Sequence, residues 1–197
     1  MSYYSLALIL ERGRSVARRI LVGSSKRSLY AHAGPQKVAS HFKEAEICGY
    51  ELSILERVSK PQPTTPVKRK KNGTGNGYAT GTSGDESGTY MELRRPVMAE
   101  QGVDELLQMK LLESLIDTAE PTTIVLASGD AAEAEYSGGF LKNAERALAR
   151  GWKVEIVAWN HGLSKDYRDR EFVKRWDGKF KIIELDDFAE EMLAVYT

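Results

Sequence analysis

The chain has 197 residues, of which 42% are hydrophobic and 28% charged, with a single cysteine, Cys48. That composition excludes a wholly disordered chain, and one cysteine excludes an intrachain disulfide and any multi-cysteine zinc site. Net charge is zero, but residues 1–77 carry 14 Lys and Arg against 5 Asp and Glu, and residues 78–197 carry 14 against 23, a split that suits one face to an anion and another to cations.

No apolar run approaches the ~20 residues of a membrane span. The longest early one, residues 6–10, is followed by Glu11, Arg12 and Arg14 and lacks the basic lead and cleavage site of a signal peptide. The expected setting is a reducing one, cytoplasmic or nuclear, with no membrane partner.

In chain order, residues 3–10 place Tyr3, Leu6, Ala7 and Leu10 on one helical face, with Gly13 as a stop. Residues 16–22 read as a strand ending at Gly23-Ser24. Residues 36–48 read as an amphipathic helix stopped by Gly49, and 50–58 as a second strand. Residues 61–90 then hold nine Pro and Gly in thirty, with few large apolar side chains. Such a stretch cannot offset its own ordering entropy, so 60–99 is expected to be a disordered, basic and Gly-rich insert in one domain with its core at about 1–59 and 100–197. Beyond it, 103–116 is a helix with Val103, Leu106, Leu107, Leu111 and Leu115 inward. Residues 122–127 form a continuous apolar run of the kind covered on both faces. A helix over 137–150, a strand over 152–159, a charged helix over 165–176, a strand over 180–185 and a closing helix over 187–195 complete the pattern. Strands alternating with helices predict an α/β fold: a mainly parallel sheet wrapped on both faces, with function beyond the strands' carboxyl ends.

The chemistry gathers where the buried strand over 122–127 delivers Ser128-Gly129-Asp130 to the rim, with Glu133 and Glu135 close behind. Crowded carboxylates repel unless a cation neutralises them, and hard oxygen ligands suit Mg²⁺ or Mn²⁺. The plainer alternative has Asp130 capping the following helix and the glutamates solvated. Asp104, at the start of the helix over 103–116, comes to the same rim in a doubly wound fold, so Asp104 and Asp130 are expected to converge. A helix cap or dipole partner is again the alternative. Lys68, Arg69, Lys70 and Lys71 form a basic run that suits nuclear import or phosphate binding. Arg14 and Arg18, with their basic neighbours, could track an RNA backbone, and Ser128 and Ser164 could position a water or a phosphate.

Several stretches resemble one family, Leu163-Ser164 and residues 180–188 being similar to its closing segment. Gln101-Gly-Val-Asp-Glu-Leu-Leu is similar to the "KGVDxxL" signature of NYN domains, a branch of the PIN-like nucleases. Thr123-Ile-Val-Leu-Ala-Ser-Gly-Asp130 is similar to their "VLVSGDSDF" strand and turn, and Arg150-Gly-Trp-Lys-Val-Glu-Ile-Val to the strand that follows. The resemblance covers roughly 15–58 and 100–190. It implies a three-layer α/β/α sandwich and a metal-dependent ribonuclease, with Asp104, Asp130 and Glu133 catalytic, and with these three and Glu135 around Mg²⁺ or Mn²⁺. RNA is the implied partner, a protein partner or a second copy the alternative. The family's early strand, carrying Asp in a "DxxN" context, has no counterpart here. Ala132 stands at the second Asp of "SGDSD", and Lys110 where many members carry another Asp. Those departures imply the alternative outcomes: a truncated product, or a silent scaffold that binds RNA or protein. In the family the early strand lies between the strands over 16–22 and 122–127, so without it either a central gap or direct closure of those two strands is expected.

Overall fold

The structure is a computed structural model that describes residues 2–25, 40–60, 97–133 and 137–193. It is a mixed α/β fold with mostly parallel sheets and no barrel. Two compact units divide the chain: residues 1–57 with 100–197, and residues 58–99.

In the larger unit, helix α1 (Tyr3–Glu11) opens on Ser2, whose side-chain oxygen accepts from the Tyr4 N–H. It ends at Arg12, which takes a left-handed conformation with φ 48° and donates its N–H to the Leu8 carbonyl. Strand β1 (Ile20–Ser25), helix α2 (Ser40–Ile47) and strand β2 (Glu51–Glu56) form a βαβ unit in which β1 and β2 pair in parallel. Phe42 of α2 and Ile54 of β2 lie within ordinary contact distance, 3.6–3.9 Å, of where a Cβ at Gly23 would stand, so α2 packs over this part of the sheet.

In the smaller unit, β3 (Val58–Lys60) and β4 (Val97–Ala99) pair antiparallel, Val58 opposite Ala99 and Lys60 opposite Val97.

The larger unit resumes with helix α3 (Val103–Asp117), which leads into strand β5 (Thr123–Leu126), helix α4 (Gly139–Ala149) and strand β6 (Lys153–Ala158). Helix α5 (Arg170–Arg175), strand β7 (Phe180–Glu184) and helix α6 (Ala189–Leu193) follow. β5, β6 and β7 form a second parallel sheet with β6 in the middle. Alternation along its strands sends side chains to two cores. Ile124, Leu126, Val154 and Ile156 join Leu111 of α3 and Phe140, Ala144 and Leu148 of α4. Val125, Val157 and Ile183 join Leu6 and Ile9 of α1 and Met192 of α6. Both faces of this sheet are therefore covered, as the apolar run over 122–127 requires.

Several expectations shift. The single parallel sheet is two sheets, and no described strand joins them. The first strand begins at Ile20, four residues later than expected, because Arg18 and Arg19 turn outward to pair with Glu51 and Glu11. The charged helix over 165–176 splits into a 3₁₀ turn, Lys165–Arg168, and α5, because Asp169 accepts the Phe172 N–H and starts a new helix. The closing helix is likewise a 3₁₀ turn, Leu185–Phe188, and the short α6. Residues 36–39 of the second helix and 61–96 of the insert lie outside the described residues. Among the described residues no helix is long and apolar enough to cross a membrane.

Candidate functional site

The site begins where β5 ends. Ser128 accepts the Asp130 N–H at 3.3 Å, and Asp130 Oδ1 accepts the Ala132 N–H at 2.8 Å. Asp130 thus closes a local turn rather than capping α4, which starts only at Gly139. Two contacts fasten this turn from the far side of the chain. The Ser164 N–H donates to the Gly129 carbonyl at 2.8 Å, and the Tyr167 hydroxyl donates to the Asp130 carbonyl at 2.9 Å. Burial, with Asp130 and Asp166 adding to it, pushes the Tyr167 phenol up, so it stays protonated and remains a donor. Gly129 has no room for a side chain: a Cβ there would lie 2.3 Å from the Gly162 carbonyl oxygen.

Asp104 sits with Glu105 in the first turn of α3, after Gly102. Burial raises its pKa, and the charges of Asp130, Glu105 and Glu100 raise it further. The charge of Asp130 is thus among those that act on Asp104. Glu100 is tied back by Ser24 and Arg57, each donating to it at 2.6 Å. Its place beside this rim was not legible in the sequence, and nothing in its local pattern could have revealed it. Tyr167 was hidden for a different reason: it lay within a stretch read as ordinary charged helix.

The raised pKa has a definite sign for stability. A carboxyl raised in the fold favours the folded state while protonated, and that contribution is lost as pH rises through the raised value. Ionised Asp104 thus costs stability at neutral pH. Asp104→Asn is expected to raise Tm slightly at pH 7, within about 0.5 kcal/mol for so exposed a position, and not at pH 3. Thermal melts at the two pH values measure it.

The other candidate residues divide. Glu133 is exposed, while Glu135, Lys68, Arg69, Lys70 and Lys71 lie outside the described residues. Ser128 and Ser164 are used locally, Ser164 accepting the Asp166 N–H that opens the 3₁₀ turn. Lys110 pairs with Glu113 at 2.9 Å, on its own helix. Among the described residues no group of three or more His, Cys, Asp or Glu is placed to hold a metal. Asp104 and Asp130 are hard oxygen donors, the ligand type that Mg²⁺ takes.

The structure engages both basic candidates with the chain's own acids. Arg18 grips Glu51 with two bonds, at 2.9 and 2.7 Å. Arg14 donates to both oxygens of Glu155 on β6, at 3.1 and 2.8 Å, and Arg12 joins it. Burial opposes the charge of Glu155, but the guanidiniums outweigh it and hold the carboxyl below its usual range. A lowered carboxyl stabilises the fold above the ordinary carboxylate pKa, and that contribution is lost as pH falls through the lowered value. Glu155→Gln is expected to cost about 1 kcal/mol at pH 7, after allowing for the solvent around the guanidiniums. The difference from the parent should vanish under acid, which urea melts at pH 7 and pH 3 measure.

Comparison of the chain with family models, curated proteins and solved structures finds no match. The chemistry of the site therefore rests on its own residues: Asp104 in the first turn of α3, its pKa raised by burial and then by Asp130 and other acids, and Asp130 on a turn held by Ser164 and Tyr167.

Proposed function

We propose that the larger unit is an NYN-type, PIN-like domain of the three-layer α/β/α kind that hydrolyses RNA phosphodiester bonds at Asp104 and Asp130. The observation that supports this reading is that the charge of Asp130, on the turn after β5, acts on Asp104 in the first turn of α3. Asp104 and Asp130 would hold Mg²⁺ or Mn²⁺, with Glu133 and Glu135 nearest in sequence to complete the set. When bound, the ion supplies polarisation of a phosphoryl oxygen and a lowered pKa for water. The residues of the chain do the positioning. The bond from Tyr167 to the Asp130 carbonyl and the close seat of Gly129 fix where the Asp130 carboxylate stands. Asp104 stands in the first turn of α3. Lys68, Arg69, Lys70 and Lys71 would meet the RNA backbone.

A second reading, a silent scaffold that binds RNA or protein, is favoured by Ala132 where the family motif has an acid and by the pairing of Lys110 with Glu113. Cleavage of single-stranded and hairpin RNA with Mn²⁺ decides between them. Asp104→Asn and Asp130→Asn are each expected to slow cleavage by about 100-fold or more. The amide oxygen introduced by Asp130→Asn keeps the acceptor that the Ala132 N–H needs, so folding should survive. A parent that cuts nothing, yet binds RNA equally well in both variants, would establish the scaffold instead.

A further inference from the structure

Strand β6 runs beside β5 in parallel, Leu126 opposite Ile156, so both strands deliver the residues that follow them to the same end of the sheet. After β5 comes the Asp130 turn. After β6 comes Trp159 and then a 3₁₀ turn, Asn160–Gly162. The two stretches touch. The place a Cβ would take at Gly129 lies 2.3 Å from the Gly162 carbonyl oxygen and 3.0 Å from the Ala158 Cβ, and the Ser164 N–H donates to the Gly129 carbonyl at 2.8 Å.

The 3₁₀ turn is held from both ends. Trp159 packs against the core of Leu6, Ile9 and Val157, and Leu163 is buried in the other core. Between them, the Asn160 N–H donates to Asp186 at 2.7 Å and its side-chain amide to Glu184 at 2.8 Å, while Arg168 donates to the other Glu184 oxygen at 2.7 Å. Glu184 and Asp186 are thus already engaged. His161, in the middle of the turn, is not. It is exposed, and no hydrogen bond or ion pair joins its imidazole to a described residue. Its ring lies nearly parallel to that of Trp159, the planes 25° and the centroids 6.5 Å apart. A firmly pinned turn therefore offers solvent an aromatic ring, backed by a second ring, next to the segment that carries Asp130. Lys165, four residues on, is exposed and has no ion pair among the described residues.

Every nucleobase has a π face, and imidazole and indole rings are among the surfaces on which unpaired bases stack. A phosphate alone gains nothing from such a pair of rings, and a base closed in a duplex cannot reach it. We propose that His161, backed by Trp159, is a stacking platform for one unpaired nucleobase of an RNA strand, with Lys165 meeting a neighbouring phosphate. The inference rests on the proposed reading for the class of ligand, and it narrows that class to strands unpaired at this position.

Binding is measured on the full chain in EDTA, where no metal-dependent cleavage intervenes. The probes are a labelled oligoadenylate of about ten nucleotides and the same ribose-phosphate strand without bases, followed by fluorescence anisotropy. The parent is expected to bind the oligoadenylate at least tenfold more tightly than the abasic strand. His161→Ala should lose about tenfold on the oligoadenylate, as removal of one stacking ring does, and nothing on the abasic strand. His161→Phe should restore the binding. The oligoadenylate should also quench tryptophan emission in the parent and not in Trp159→Phe, which keeps an aromatic ring against the core. Three results would overturn the proposal: His161→Ala binding the oligoadenylate as the parent does, an equal loss on the abasic strand or on a fully paired duplex, or free AMP binding as tightly as the strand. The second would make His161 a phosphate contact, and the third would make this a free-nucleotide site. Cleavage is scored apart. A chain that stacks the strand but never cuts it with Mn²⁺ loses the ribonuclease reading and keeps this one, and a chain that cuts RNA while His161→Ala binds it unchanged loses this one alone.

Discussion

Gly139→Ala is expected to destabilise the larger unit by about 3 kcal/mol, among the largest losses available to a single added methyl. Gly139 has φ 75°, a conformation that L side chains rarely adopt, and strain of that kind costs roughly 1–3 kcal/mol. Space compounds it. A Cβ would lie 2.1 Å from the Ala132 carbonyl oxygen, 2.9 Å from its carbon and 3.2 Å from the Glu133 Cα. All three are backbone atoms, so no rotamer change can relieve the overlap, and the stretch that carries Asp130 must move. Urea denaturation gives the loss directly. Because the displaced segment is the acidic turn, any RNA cleavage should fall with it, even under conditions where the variant remains folded. A variant as stable as the parent would mean that 132–139 follows a different path.

Asn143→Ala is expected to cost about 2–3 kcal/mol, through lost hydrogen bonds rather than lost volume. Asn143 is 1% exposed and Gln108 3%. The Asn143 amide donates to Gln108 Oε1 at 3.0 Å, and its own oxygen accepts from Arg146 at 2.6 Å. Ser137 donates to the same Gln108 oxygen at 2.6 Å, so one acceptor ties α3, α4 and the residues before α4 together. Gln108 Nε2 is buried with no partner, so the network already carries one unmade bond. Removing Asn143 takes a donor from the buried Gln108 oxygen, and a buried polar group stripped of a partner costs about 1–3 kcal/mol, whereas Arg146 is exposed and water replaces the acceptor it loses. Asn143→Asp separates the two effects. It keeps the acceptor for Arg146 but removes the donor to Gln108 and buries a charge, so it should be at least as damaging as alanine. Thermal melts of the pair check the order.

These two sites also mark how far the sequence could be read. Apolar runs such as residues 122–127 located the strands well, because burial on both faces leaves a plain compositional trace. Asp104 was legible as an acid at a helix start and Asp130 as one just past a strand end, and the charge of Asp130 does act on Asp104. Gly129 was legible as a turn, but its contact with Gly162 was not, since that depends on a carbonyl far along the chain. Ser164 and Ser128 looked like free hydroxyls and are taken up by neighbouring N–H groups, a local competition that residue type alone does not reveal. Arg14 and Arg18 looked like a nucleic-acid surface because their partners, Glu155 and Glu51, lie on other strands. The division of the expected sheet into two was legible only in part. Alternation fixed the direction of the strands, but pairing depends on which strands are present to pair.

The ribbon of β3 and β4 has a consequence for how this gene can be altered. Lys60 and Val97 face each other across a single antiparallel pair, so their Cα atoms lie only about 5 Å apart, whatever the intervening length. A two-residue Asn-Gly hairpin bridges that distance, and a whole foreign domain with adjacent termini does so equally well. Either replacement keeps Lys60 opposite Val97, so the register of the ribbon itself sets no limit on what is encoded between those two codons.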